Sequence, residues 1–288
     1  MDQARSLRRI AARPRVRRSA APPLRTIAIT SGKGGVGKTN TVVNLACALA
    51  DMGHKVLIID ADLGLANVDV LMGLTPKYNI HDVIQGNKTM DQVVVSGPRG
   101  VNILPAASGI SELSNLGQDE KLMILQELDA FHTDADTVLI DTAAGISDTV
   151  LYFNIAASER LVVATGEPTS LTDSYALIKV LATSHGQRSF KLLVNNVAGA
   201  AQAKEVYGKL SAAVDHFLSG ISLSYVGFIP TDPAVNRAVM QQKPTITAFP
   251  KAPASKGFKQ LAQRLLDSPP SAGDGNIKFF WRRLVDME

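Results

Sequence analysis

The chain has 288 residues, 45% of them hydrophobic, enough to bury a full core in one large α/β domain or two small ones. No apolar run approaches the ~20 residues that span a bilayer, and the lone Cys47 excludes a disulfide framework and any CxxC metal or cluster motif, so a reducing cytoplasm is the simplest setting. The net charge of +4 hides an asymmetry, since residues 1–25 hold eight arginines against one acid and the other 263 residues are about three charges negative.

The Arg-, Ser- and Ala-rich start ends at Ala21-Pro22-Pro23. Its composition suits a mitochondrial transit peptide, a solvated tail, or an arm that binds nucleic acid or protein, and does not choose among them. Residues 24–30 then read as a buried strand and 41–52 as a helix. Between them Gly32-Lys33-Gly34-Gly35-Val36-Gly37-Lys38-Thr39 satisfies the phosphate-loop pattern GxxxxGK[ST]. Glycines let successive backbone N–H groups close on phosphate oxygens, and the following helix presents its positive end. Lys38 is placed for the β/γ-phosphates and Thr39 for Mg²⁺, whereas Lys33 is surplus to that task.

Two acids follow the next strand, residues 55–60, as Asp60-Ala61-Asp62. Their spacing of two points both side chains to one side if the segment is extended, so one suits Mg²⁺-bound water and the other the attacking water. Spacing alone does not assign the two roles, and an Asx-type turn with two solvated carboxylates is the milder alternative. Further on, 101–104 reads as a strand and 120–131 as a helix, and strand 137–141 runs into Asp141-Thr142-Ala143-Ala144-Gly145. An apolar strand ending in Asp has the form of a Walker B site, with an N-cap as the milder reading of Asp141. Strands at 160–165, 191–195 and 224–229 alternate with helices at 170–184 and 203–218. This βαβ rhythm predicts a single α/β P-loop domain, 24–267, whose mostly parallel twisted sheet is covered by helices on both faces.

Residues 268–276 form a Pro/Gly linker, and 277–285 have a helical pattern. Ile277, Phe280, Trp281, Leu284 and Val285 fall on one face, with Lys278, Arg282, Arg283 and Asp286 opposite. Such a helix suits insertion into an anionic membrane interface or docking into a groove of its own domain.

Together these segments resemble the MinD/ParA class of ATPases over nearly the whole chain. Lys33 to Thr39 is similar to the deviant Walker A motif of that class, Asp60 to Asn67 to its switch I, and Asp141 to Gly145 to its switch II. The resemblance implies ATP/ADP and Mg²⁺ as ligands, an ATP-bound homodimer, Lys33 crossing to the partner's phosphates, and Asp62 positioning the hydrolytic water. Metal contacts then fall to Thr39, Asp60 and Asp141. Loop residues Gly32 to Lys38 and Asn40 would hold the phosphates. Asn195, and the turn Pro230-Thr231-Asp232, match the family's adenine contacts, with strand termination and helix capping as alternatives. Asp2-Gln3-Ala4-Arg5-Ser6-Leu7-Arg8 resembles the DQAxxLR motif of the FlhG (FleN) flagellar-number regulators. That implies an arm whose Asp2, Gln3, Leu7 and Arg8 stimulate an FlhF-type GTPase, along with a flagellar transcription activator of the FleQ/FlrA type, C-ring proteins and anionic inner-membrane lipids as partners. Residues 167–179 share wording with the same proteins, without an assigned role. Rival readings are a MinD-like division-site regulator, a ParA-like partition ATPase, an iron–sulfur carrier scaffold and a non-hydrolysing adaptor. The basic arm speaks against MinD, the C-terminal helix against ParA, and the single cysteine against the scaffold.

Overall fold

A computed structural model describes residues 24–62, 67–79, 82–83, 85–105 and 134–268. The basic arm, the expected helix at 120–131 and the C-terminal amphipathic segment, with Asp2, Gln3, Leu7, Arg8, Ile277, Phe280, Trp281, Leu284 and Val285, lie outside the described residues. In chain order the elements are β1 (Arg25–Ser31), α1 (Lys38–Asp51), β2 (Val56–Ala61), α2 (Val68–Met72), α3 (Met90–Val93), β3 (Val95–Ser96), β4 (Asn102–Leu104), β5 (Thr137–Ala144), α4 (Asp148–Ala156), β6 (Glu159–Ala164), α5 (Pro168–Thr183), β7 (Ser189–Val197), α6 (Ala200–Phe217), β8 (Ser222–Pro230), α7 (Pro233–Met240), α8 (Thr245–Ala248) and α9 (Pro253–Asp267).

The strands make one sheet in the order β3-β4-β2-β5-β1-β6-β7-β8. Only the β3–β4 pairing is antiparallel among these neighbours. Side chains alternate between two cores at the period of a pleated strand. Along β1, Ile27 and Ile29 enter one core and Ala28 the other; in β5, Leu139 opposes Val138 and Ile140. With both faces covered, the central strands read as near-continuous apolar runs, whereas Ser189 and Lys191 of β7 and Ser222 and Ser224 of β8 keep some exposure.

The first core is closed by α1 and by α9, a helix whose Ala254, Phe258, Leu261, Ala262 and Leu265 recur at three- and four-residue spacing. Gly257 lets α9 approach β8, because a Cβ there would stand 3.1 Å from Ile229 Cδ1 and 3.2 Å from the Phe228 carbonyl oxygen. The opposite face is covered by α4, α5 and α6, through residues such as Phe153, Leu177 and Leu210.

A buried ion cluster fastens the amino end of the sheet. Glu159, at the start of β6, accepts from Arg25 Nε at 2.6 Å and Nη2 at 2.8 Å, and pairs with Lys191 Nζ at 3.1 Å. Arg25 also donates through Nη1 to the Leu265 carbonyl in the last turn of α9. One of the eight arginines that composition groups with the arm is therefore a structural residue of the sheet. Glu159→Ala would leave two cations in a site almost closed to water, so we expect a loss of about 3 kcal/mol or more in urea unfolding; an unchanged midpoint would show that the cluster does not hold this end together.

Candidate functional site

The phosphate loop joins the carboxyl end of β1 to α1, which begins inside the motif at Lys38, three residues before the helix expected from periodicity. Gly37 caps α1 with φ 90°, and a Cβ on it would stand 2.3 Å from Asn195 Nδ2, so the position needs glycine twice over. Asn195 Nδ2 donates to the Val36 carbonyl at 2.7 Å. In this structure Asn195 braces the loop, and the end of β7 bulges immediately after it, with Asn196 at φ 56°. Gly32 lies behind the loop against the Asp173 backbone of α5.

A cleft of about 610 Å³ opens over the loop, lined by Lys33 to Gly37, Asn40, Thr165, Glu167, Asn195, Asn196, the segment from Pro230 to Asn236 apart from Ala234, and Phe258. Its loop end suits phosphates, and its far end, with asparagines, prolines and a phenylalanine, suits a flat base. The Asp232 carboxylate is engaged elsewhere: Oδ1 accepts the Ala234 N–H at 2.8 Å and Oδ2 the Ala254 N–H at 3.0 Å, so it ties the first turns of α7 and α9 together. Helix capping, the alternative role for Asp232, is what the side chain does here.

Asp60, next to last in β2, is paired in register with Asp141 in the second half of β5. Asp141 lies within β5 and caps no helix. Both carboxylates are buried, with 1% of each residue exposed. Burial pushes Asp60 up to about 6 against the bonds it accepts from the Asp62 and Val68 N–H groups. Asp141 is pushed up to about 7, first by burial and then by the Asp60 charge, while Lys38 and the Thr39 hydroxyl pull the other way. Among the described residues Asp141 Oδ1 has no hydrogen-bond partner. The Asp62 N–H bond to Asp60 Oδ1 gives the acid pair an Asx-like local form, but only Asp62 is partly exposed; Asp60 is not solvated.

Lys33 faces away from this centre. Its ammonium bonds to Glu167 Oε2 and to Thr169 Oγ1, the latter at 3.0 Å, at the start of α5, and its side chain is 37% exposed. Sequence reasoning missed both partners. The available signal was position, since Glu167 and Thr169 follow the carboxyl end of β6, where open α/β sheets bind their ligands. Behind the loop the Gly145 N–H donates to the Ser31 carbonyl at 2.9 Å, linking the segment after β5 to the end of β1.

Comparison with known proteins agrees with this geometry. The profile of the AAA domain matches residues 24–191. Antiactivator FleN of Pseudomonas aeruginosa is 46% identical over 264 residues, covering 91% of this chain and 94% of that protein. The chain belongs to the MinD/ParA class of P-loop ATPases. Flagellum site-determining protein YlxH of Helicobacter pylori is 31% identical, covering 90% of this chain and 89% of its own length. Among solved structures, septum site-determining protein MinD of Pyrococcus horikoshii with Mg-ADP superposes with a TM-score of 0.64 at 25% identity, over 84% of this chain and 96% of that one.

As a MinD/ParA-type ATPase the protein hydrolyses ATP, and its acids fit a magnesium-bound nucleotide. The Asp141 oxygen, the adjoining Asp60 carboxylate and Thr39 would form an oxygen-donor set that leaves most metal positions to phosphate and water, as Mg²⁺ prefers. The raised carboxyls fix a pH dependence. Because the folded values lie above the ordinary one near 3.8, the stability these two groups contribute to the ligand-free protein falls as pH rises from about 4 to about 7. Protons compete with the metal over that range. The thermal stabilisation conferred by Mg-ADP should therefore grow between about pH 6 and pH 8; a shift independent of pH would contradict the assignment of Asp60 and Asp141.

Proposed function

We propose that the protein is an ATP-driven dimerisation switch that attaches to a membrane as a dimer and regulates the number or placement of flagella. The observation that carries this reading is the disposition of the two loop lysines. Lys38 is buried beside Asp141 and serves its own site, whereas Lys33 is turned to the rim and tied only to Glu167 and Thr169. A cation at the rim is poised to reach phosphates held by a second copy, as an arginine finger does, and hydrolysis then depends on pairing. In that dimer Asp62 orients the attacking water.

Among the described residues no helix is long and apolar enough to cross a membrane, so attachment falls to the amphipathic segment 277–285. Each buried large apolar side chain contributes roughly 1.5–3 kcal/mol before ordering costs, so one segment binds weakly and two on a dimer bind much better. ATP state thereby becomes location.

The flagellar assignment rests on the likeness to a protein named a flagellum site-determining protein and to another named an antiactivator. With Asp2, Gln3, Leu7 and Arg8 of the amino-terminal motif, this supports an FlhF-type GTPase, a transcription activator and C-ring components as partners. Asn195 and the Pro230 turn would meet the adenine.

Lys38→Ala should lose ATP binding, while Lys33→Ala should keep it; neither should dimerise on ATP by sedimentation, and both should lose control of flagellar number in cells. Asp62→Ala should trap the dimer with turnover reduced about a hundredfold or more. ATP-dependent dimerisation by Lys33→Ala would sink the switch.

A further inference from the structure

A second cavity lies on the other side of α7 from the nucleotide cleft. Pro233, Val235 and Asn236 line the cleft, whereas Ala234 and Arg237 line a cup of about 430 Å³, and Asp232 borders both. The rest of the cup is the turn 248–253 from α8 into α9, which presents Phe249, Pro250, Ala252 and Pro253. That turn is held in place, because Asp232 Oδ2 accepts the Ala254 N–H at 3.0 Å and the Phe249 carbonyl accepts the Ser255 hydroxyl at 2.8 Å.

The charge around the cup is of one sign. Residues 233–266 hold six cations, Arg237, Lys243, Lys251, Lys256, Lys259 and Arg264, and no acid, although the chain beyond residue 25 is net negative. Among the described residues no carboxylate pairs with any of the six, while Lys33, Lys55, Arg99 and Lys209 elsewhere on the surface each have an acid partner. Arg237 and Lys251 are exposed at the cup itself. The Arg237 guanidinium stands 4.8 Å from the centre of the Phe249 ring, a stacking contact that uses its face and leaves its N–H edges for an acceptor. Met240, one turn further along the same side of α7, is 85% exposed.

We propose that this cup and its cations are a docking site for a short acidic segment of a partner protein, seated by one large apolar side chain. Charge complementarity sets the sign of the partner, and the apolar wall sets its class. A phosphate backbone or a headgroup layer offers charge without a side chain to fill a space between prolines and a phenylalanine. Arg237 already covers one face of that ring, which removes a platform for a stacked base. A peptide supplies both the acids and the anchor, and a turn fixed beforehand spares the cost of ordering it on binding. The site shares only Asp232 with the lining of the cleft, and the proposal does not depend on the dimerisation reading.

The test titrates a fluorescein-labelled heptapeptide, six glutamates around one central tryptophan, with the full-length chain in the presence of ADP, read by anisotropy. The native chain should bind it saturably and release it as salt is raised. Replacing the tryptophan of the peptide with serine, or using the variant R237E/K251E, should each weaken binding about tenfold or more. R237E/K251E should keep native ATP turnover and thermal midpoint, and the serine peptide is read on the native chain, so the test survives a variant that fails to fold. Absence of saturable binding by the native chain overturns the proposal, as does equal binding of the two peptides or equal binding by native chain and folded variant. Tighter binding of a labelled DNA duplex than of the peptide, lost in R237E/K251E, reassigns the face to nucleic acid and overturns it too. The same result with phosphatidylglycerol vesicles reassigns it to lipid.

Discussion

Two carboxylates held side by side, out of water, toward the carboxyl ends of neighbouring parallel strands form the constraint around which this end of the sheet is arranged. Asp60 and Asp141 are in register, both buried, and one oxygen of Asp141 has no partner among the described residues. Burial out of water raises the proton affinity of both, and the Asp60 charge raises that of Asp141 further. A single lysine in the site, Lys38, does not relieve the pair. Magnesium and triphosphate would relieve it, their charges complementing acids on one side and backbone N–H groups on the other.

In the proposed dimer Lys33 would extend that logic beyond one chain. It leaves the phosphate loop and pairs with Glu167 and Thr169, which hold it near the cleft yet exposed. An exposed pair of this kind contributes little to stability, so exchanging Glu167 for a phosphate group is easy. The fold also separates two tasks in space. The candidate nucleotide cleft and the rim lysine lie at the carboxyl ends of the strands, while Arg25 and Leu265 meet at the other end, and α9 touches each through Asp232 and Arg25.

Much of this was legible in the sequence because its signals are local. A phosphate loop between strand and helix, acids at strand ends and near-continuous apolar runs gave the parallel sheet, its covered faces and the centre formed by Lys38, Asp60 and Asp141. What was missed depends on residues that meet only after folding. Lys33 and Glu167 are 134 apart in sequence, Arg25 and Leu265 are 240 apart, and no periodicity links them. Asp232 matched an adenine contact in family terms, yet its oxygens bind two helix starts, one of them 22 residues downstream. Asn195 shows the same limit: its type and strand-end position marked it, but its bond to Val36 arises from the approach of β7 to the loop. The α9 pattern was overlooked because Gly257 and Pro253 interrupt its sequence signal, whereas in the fold one permits close packing and the other begins the helix.

The central claim is that the cation completing the ATP site comes from a second chain. The measurement that addresses it most directly is ATP turnover per protomer as a function of protein concentration, with Mg²⁺ and ATP saturating. If Lys33 acts across a dimer, specific turnover rises with concentration and levels off where sedimentation shows the dimer to be complete. A specific turnover that stays constant from dilute monomer to concentrated protein would contradict the account, placing all of the catalytic charge within one chain.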